Sequence, residues 1–447
     1  MKLTILGGGG FRVPLVHGAL LRDESEGRVT EVVLHDLDQG RLGAMTQVLT
    51  QAGAGSSHAP VVTATTDPDE ALRGADFVFS AIRVGGLAGR TLDERVALDL
   101  GVLGQETTGP GGLAYALRTV PVAVDIARRT RAVAPDAWFI NFTNPAGIVT
   151  EAMQEVLGDR VIGICDSPIA LARRAMGALG LETATTEIDY VGLNHLGWLR
   201  GLRVNGTDHL PHLLADSAAL QTLEEGRLFG PEWIQALGAI PNEYLYYYYY
   251  GREAQAAILA SPQTRGEFLR DQQDAFYATV ADHPDTAATE WRRVREERDA
   301  TYMREARAEG EERDEADVAG GGYEGVALAI MAAISRGETS SMILNIRAGG
   351  AVPGMPDDAV VEIPCVVDGK GPKATPQAPV EGHMLGLMQQ VKAVERLVIE
   401  AATTGSEQAA VKAFALHPLV DSVSTARALF EGYRRAHPEL TALFSDN

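Results

Sequence analysis

Lys2 to Leu6 is a short apolar run that passes straight into Gly7-Gly8-Gly9-Gly10, after which Phe11 to Leu21 carries apolar residues at helical spacing. Strand, glycine turn and helix in immediate succession predict a parallel sheet, with the helix N-terminus and its unpaired N–H groups beside the strand end. The glycines let a pyrophosphate approach the backbone, and the helix dipole favours its charge. The fingerprint G-x-G-x-x-G is met at Gly7 and Gly9, while Arg12 stands at the third glycine position. A second strand over Glu31 to His35 ends at Asp36. An acid there can accept from both hydroxyls of an adenosine ribose and repels a 2′-phosphate, so NAD is expected rather than NADP. The candidate cofactor-binding residues are Gly7, Gly8, Gly9, Gly10, Phe11, Arg12, Asp36 and Arg83.

Asp76 to Ile82, Ala137 to Asn141 and Val161 to Ile164 read as further strands separated by helical segments. Alternation of this kind predicts an α/β fold with an N-terminal Rossmann-like doubly wound parallel sheet. Beyond Asp189 short strands mix with longer helices, as in a mixed α+β substrate and oligomerisation domain. The expected division is 1–168 for NAD binding and 169–447 for substrate and metal binding. The formal net charge of −21 argues against nucleic acid and anionic membranes, both of which need a basic footprint, and favours a small-molecule substrate. Cys165 and Cys365 cannot build a disulfide framework and are expected as free thiols. No apolar run approaches a membrane span, and Leu3 to Leu6 is too short for a secretory signal, so a cytoplasmic location is expected.

Two strand-like runs end in metal-ligating side chains: Arg160-Val161-Ile162-Gly163-Ile164 leads to Cys165, and Asp189-Tyr190-Val191-Gly192-Leu193-Asn194 leads to His195. A thiolate and an imidazole in one pocket would suit Mn²⁺, Fe²⁺ or Co²⁺, with oxygens of substrate or water completing the shell. The competing reading is packing, since single Cys and His residues are more often buried core. From Val84 to Pro121 the chain is glycine-rich and polar, and Arg83, Arg90, Asp93, Glu94 and Glu106 are expected on a loop that wraps a ligand. Asn141-Phe142-Thr143-Asn144-Pro145 falls at a strand end, where open parallel sheets bind ligands. Tyr244 and Tyr246 to Tyr250 are expected on a helix between Pro241 and Arg252, where only one or two rings can reach a site. The Arg- and Glu-rich stretch from Trp291 to Asp317 reads as a solvated helix and not a binding patch, and Val360 to Pro364 as a strand stopped by proline. Glu381 to Thr404 has the pattern of a long amphipathic helix.

Taken together and in order, the glycine turn, Ile82-Arg83-Val84-Gly85-Gly86, Gly104-Gln105-Glu106-Thr107-Thr108-Gly109-Pro110-Gly111-Gly112, Asn141 to Pro145, the Cys165 and His195 motifs and Val361-Glu362-Ile363-Pro364 resemble glycoside hydrolase family 4 over nearly the full length. Within that family the chain is similar to the NAD- and metal-dependent 6-phospho-β-glucosidases. The resemblance implies Cys165 and His195 as ligands to Mn²⁺ or another divalent metal, and Tyr244 as the base, with Tyr246 and Tyr247 as alternative counterparts. It places Asn144 and Glu106 at the substrate and makes Arg90 and Arg265 candidates for the sugar phosphate. Asp166 would either protonate the leaving oxygen or orient the metal ligand. The implied chemistry is redox, elimination and addition in sequence, in a homodimer or homotetramer. Many of the β-specific enzymes have Asn where Asp166 stands, as the α-specific ones have Asp, and the family often has Ser at Gly10. An α-linked or unphosphorylated substrate therefore stays open, and a simple NAD-dependent hydroxy-acid or polyol dehydrogenase is the alternative from another class.

Overall fold

In the computed structural model, residues 1–301 and 322–445 are described. The first strand, β1 (Lys2–Leu6), pairs in parallel with β2 (Glu31–His35) and β4 (Phe77–Ser80). β2 pairs with β3 (Val61–Thr65), and β4 continues through β5 (Trp138–Asn141) to β6 (Val161–Gly163), all parallel. The order β3-β2-β1-β4-β5-β6 is that of a doubly wound dinucleotide-binding sheet, with its topological switch point between β1 and β4. Val32, Leu34, Ile5, Phe79 and Ile140 are buried, as strands covered on both faces require. Helices Val13–Leu21, Gln39–Ala52 and Tyr323–Arg336 pack together, and Pro110–Val133, Ala146–Leu157 and Gly382–Thr404 form a second group.

The sheet does not stop at the expected boundary, which falls inside helix Ser167–Ala178. β6 pairs antiparallel with β11 (Ser340–Arg347), which pairs with β12 (Val360–Asp368). β12 pairs with β7 (Glu187–Leu193), followed by β8 (Leu196–Val204) and β10 (Ile240–Pro241), while β9 (Thr207–Asp208) and β13 (Gly371–Ala374) flank β8 and β12. Among the described residues, one mixed sheet of 13 strands thus carries both halves.

Three expectations are corrected. The stretch from Val84 to Pro121 is largely helical, with helix Gly86–Asp99 and the start of Pro110–Val133 separated by a short loop. Its glycines are caps and contacts: Gly85 and Gly109 take φ of 82° and 80° just before the two helices. A Cβ on Gly111 or Gly112 would lie 2.3 Å from the Gln105 or Thr107 carbonyl oxygen. Asp93 is consequently a core residue, bound by Arg118 at 2.7 and 2.8 Å. The strand at Val360 does not stop at Pro364, which still faces Ile343 in register. Its carbonyl accepts from Thr375, so its missing N–H lies on the flank where pairing with β7 has ended at Glu362. Helix Ala287–Ala300 is not a purely solvated helix, because Trp291, Arg295 and Arg298 line a cavity. Residues 302–317 of that stretch lie outside the described residues.

Candidate functional site

The glycine turn is built for close backbone approach. Gly7 has φ of 80°, and a Cβ there would lie 2.6 Å from the Ala81 carbonyl oxygen at the end of β4. A Cβ on Gly8 would meet Leu34 and His35 within 2.8 Å, and one on Gly9 would reach the Asp36 carboxylate at 3.0 Å. Asp36, at the end of β2, accepts from Gly9 N at 3.0 Å and Asp38 N at 3.2 Å. The crevice between β1 and β4, with an acid at the end of β2, fits a dinucleotide without a 2′-phosphate. Phe11 also lines the cavity. Its ring packs against Phe276 and Trp291, and its carbonyl accepts from Trp291 Nε1 at 2.8 Å.

Arg12 lines the same cavity as the glycine turn. Its guanidinium lies over Phe142 and Tyr323, at 5.1 and 5.3 Å from the ring centroids, and Tyr323 Oη donates to the Arg12 carbonyl. Burial opposes its charge, but Tyr323, Asp166, Tyr244 and Glu106 together hold it above the ordinary arginine range. Glu106 is the hub of this region: Arg83 reaches it at 2.6 Å and Arg90 at 2.8 Å. Burial would raise its carboxyl, yet Arg83, Arg90 and Arg12 bring it down to about 2, so it is ionised at neutral pH. Arg90 also pairs with Glu94, whose other oxygen accepts from Gly266 N. Arg265 is engaged with the end of helix Ala287–Ala300, donating to Arg298 O at 2.9 Å and Thr301 Oγ1 at 2.6 Å. Burial, followed by repulsion from Arg12, Arg265 and Arg90, pushes the Arg298 guanidinium down. Arginine keeps its proton in proteins, so this crowding is a repulsion that a bound anion would relieve.

Cys165 follows β6 and is buried; burial, with Glu362 and Asp166 nearby, pushes its thiol well up. His195 lies in the two-residue turn between β7 and β8, where Leu193 faces Leu196, and has φ of 62°. That conformation costs a non-glycine residue on the order of 1 kcal/mol and needs contacts to hold it. Thr107 Oγ1 donates its one proton to Gln105 Oε1 at 3.1 Å and therefore receives one from His195 Nδ1, 3.1 Å away. That arrangement leaves Nε2 as the unprotonated ring nitrogen. Burial brings the imidazole down to about 3, which keeps it neutral. No group of three or more His, Cys, Asp and Glu side chains able to hold a metal occurs among the described residues. Sulfur from Cys165 and nitrogen from His195 fit a divalent transition ion whose remaining positions stay open to oxygens.

Tyr244 stacks face to face on His195, with centroids 3.6 Å apart and planes 8° from parallel. Of the tyrosine run, Tyr247 also lines the cavity; Tyr246 packs on Phe229 and Tyr250, and Tyr249 accepts from Trp198. The segment is a 3-10 turn at Glu243–Leu245 followed by short helices, not one helix. A single cavity of about 2180 Å³ is lined by the glycine turn, Asp36, Arg83, Arg90, Glu106, Asn144, Cys165, Asp166, His195, Tyr244, Arg265 and Arg298. Arg298 and Tyr323 also line it and were not anticipated there; nor was Glu362, which does not line the cavity but accepts from Asn194, the neighbour of His195. Glu362 is fully buried in β12 and accepts from Asn345 at 2.8 Å, Asn194 at 3.2 Å and Tyr190 at 3.3 Å. An acid inside the apolar run Val360-Val361-Glu362-Ile363 was its sequence signal.

Residues 2–181 match the family model described as Family 4 glycosyl hydrolase, and residues 190–420 match the Family 4 glycosyl hydrolase C-terminal domain. A probable 6-phospho-beta-glucosidase of Bacillus subtilis is 30% identical over 98% of this chain and 96% of its own length. A 6-phospho-alpha-glucosidase of Leptotrichia buccalis is 29% identical over 98% of both chains. Among solved structures, the Thermotoga maritima 6-phospho-beta glucosidase with NAD and glucose-6-phosphate superposes with a TM-score of 0.83 at 26% identity, covering 98% and 99% of the two chains. A 6-phospho-alpha-glucosidase from gut microorganisms, in complex with NAD and Mn²⁺, gives 0.80 at 26% identity, covering 98% of each.

Proposed function

The chain belongs to family 4 of the glycosyl hydrolases, and on that premise we propose that it hydrolyses 6-phosphoglucosides with NAD and a divalent transition metal, preferring the β-linked substrates. The observation that carries this reading is a single cavity lined at once by the glycine crevice, by Cys165, His195 and Tyr244, and by Arg12, Arg90 and Arg298. The guanidinium groups bind the phosphate, a dianion that offsets the crowding felt by Arg298. Cys165 and His195 would hold the metal, and Asn144 would orient the sugar hydroxyls. When bound, the metal supplies Lewis acidity at sugar oxygens and NAD supplies a hydride acceptor that is regenerated in each cycle.

The protein's own part is proton transfer and placement. The Tyr244 phenol oxygen takes the proton from C2 of the sugar, its ring fixed in plane by the stack on His195. Asp166, one residue beyond Cys165, gives a proton to the leaving oxygen. Glu106 stays ionised and spaces the arginines. Asp166 also supports the second reading, a 6-phospho-α-glucosidase, because the α-specific enzymes carry Asp at that place.

Turnover of p-nitrophenyl 6-phospho-β-glucoside, its α anomer and both unphosphorylated glucosides tests this, each with NAD and Mn²⁺ present or omitted. Cleavage is expected only with the phosphate and both cofactors, without accumulation of NADH. Cleavage without NAD would overturn the proposal, stoichiometric NADH would indicate a dehydrogenase, and a faster α anomer would assign the second reading.

A further inference from the structure

His195 lines a second, small cavity of about 30 Å³ besides the main one. Its walls include Thr108, Asn194, His195, Tyr248, Glu395 and His417. Two wall atoms, Thr108 Oγ1 and Asn194 Oδ1, are buried and make no hydrogen bond to any described residue. Thr108 is only 3% exposed, so its hydroxyl has no route to bulk solvent as a substitute. Glu395 pairs with Lys392 through Oε2 and turns Oε1 toward the same space: a Cβ built on Gly147 would lie 3.7 Å from Oε1 and 3.4 Å from the Asn194 Cβ. His417 accepts from Leu419 N at Nδ1, which puts its own proton on Nε2 as a donor.

A buried hydroxyl or amide oxygen left without a partner costs about 1–3 kcal/mol, and a polar cavity of more than about 10–15 Å³ admits a water. We propose that this cavity is a binding site for one or two internal water molecules, held by Thr108, Asn194 and Glu395, that brace the turn presenting His195. Thr108 and Asn194 adjoin Thr107 and His195 in sequence, so the water ties together the hydrogen-bonded pair that fixes the imidazole. Thr108 is thus a positioning residue: it touches neither substrate nor cofactor and acts through the placement of His195. The site rests on the reading of His195 as a metal ligand only for its consequence, not for the water itself.

The test pairs Thr108→Val, which keeps shape and removes the hydroxyl, with Thr108→Ser, which keeps the hydroxyl. Crystal structures of the wild-type and variant proteins report on the water, and Mn²⁺ affinity measured by electron paramagnetic resonance reports on the turn. Ordered water is expected in the wild type and in Thr108→Ser, with Mn²⁺ affinity about tenfold weaker in Thr108→Val and restored in Thr108→Ser. A dry cavity in the wild type, or a valine variant that binds Mn²⁺ as tightly as wild type, overturns the proposal. Ordered water in a wild type that binds no Mn²⁺ would uphold the water site and remove the metal assignment instead.

Discussion

Glu362 makes a quantitative test of the buried chemistry beneath the site. Burial pushes its carboxyl up from the ordinary 4.5 to about 7, against three donors, Asn345, Asn194 and Tyr190, that favour the ionised form. Between those two values the folded protein holds a proton that the unfolded chain has lost, so the stability this group contributes is full below pH 4.5 and is lost as pH rises through 7. At about 1.4 kcal/mol per tenfold change in proton affinity, the difference amounts to about 3 kcal/mol. The wild-type curve alone will not display it. Burial brings His17, His195 and His417 down to about 4, 3 and 4, and their contributions rise with pH up to 6.5, opposing that of Glu362. Glu362→Gln removes only the one titration, and whatever it costs in packing or hydrogen bonding is the same at every pH. Urea denaturation of the metal-free, NAD-free protein with chelator present, followed by tryptophan fluorescence from pH 4.5 to 8, gives the difference between variant and wild type. The variant should gain about 3 kcal/mol relative to wild type across that range. A difference that stays flat, or that moves toward the wild type as pH rises, would show that the three donors outweigh burial and would refute the reasoning.

Cys165→Ser should lose Mn²⁺ binding and turnover while NAD affinity changes less than about twofold, since the glycine turn is separated from it along the sheet; Mn²⁺-stimulated activity in this variant would remove Cys165 from the donor set. Tyr244→Phe keeps the ring that stacks on His195 and loses only the hydroxyl, so KM should hold while kcat falls by about a hundredfold or more, and wild-type product formed in D₂O should carry deuterium at C2. Arg298→Ala should raise KM for a 6-phosphoglucoside by roughly tenfold to a hundredfold, the loss of one charged hydrogen-bonding partner; an unchanged KM would place the phosphate elsewhere. NADP should support turnover at least about tenfold less well than NAD, and equal turnover would be incompatible with Asp36 facing the ribose hydroxyls.

The local part of the fold was legible because its signals are local. Glu31 to His35 was bounded correctly because Val32, Val33 and Leu34 form an uninterrupted apolar run that a polar acid ends. Helix Gly86–Asp99 was not, because Gly85 and Gly86 read as loop while they serve as the left-handed entry to a helix whose Arg90, Asp93 and Glu94 are buried by ion pairs. Arg298 was hidden for a related reason. A run of Arg and Glu at helical spacing looks the same whether one position faces solvent or faces Arg12, and only the packing of Trp291 against Phe11 decides it. The aromatic shelf under Arg12 joins residues 311 apart, Tyr323 and Arg12, and the Glu362 hub joins Asn194 across 168. Pairings at such separations leave no trace in spacing. Cys165 and His195 were visible as residue types at strand ends, but the contact of His195 with Thr107, and through it Gln105, was not.

β6, which leads to Cys165, is hydrogen-bonded to β5 on one side and to β11 on the other, and β7 joins the same lattice where Gly192 faces Glu362. The separation between the glycine crevice and Cys165 is therefore set by a count of strands, each about 4.8 Å wide, rather than by the closing of one body upon another. An enzyme that must swing shut pays friction against the solvent on every cycle, and its turnover slows as glycerol or sucrose thickens the medium. Here the ruler is already at length, so the chemical steps should keep their pace in a viscous solvent, with only the arrival of substrate and the departure of product left to feel the drag.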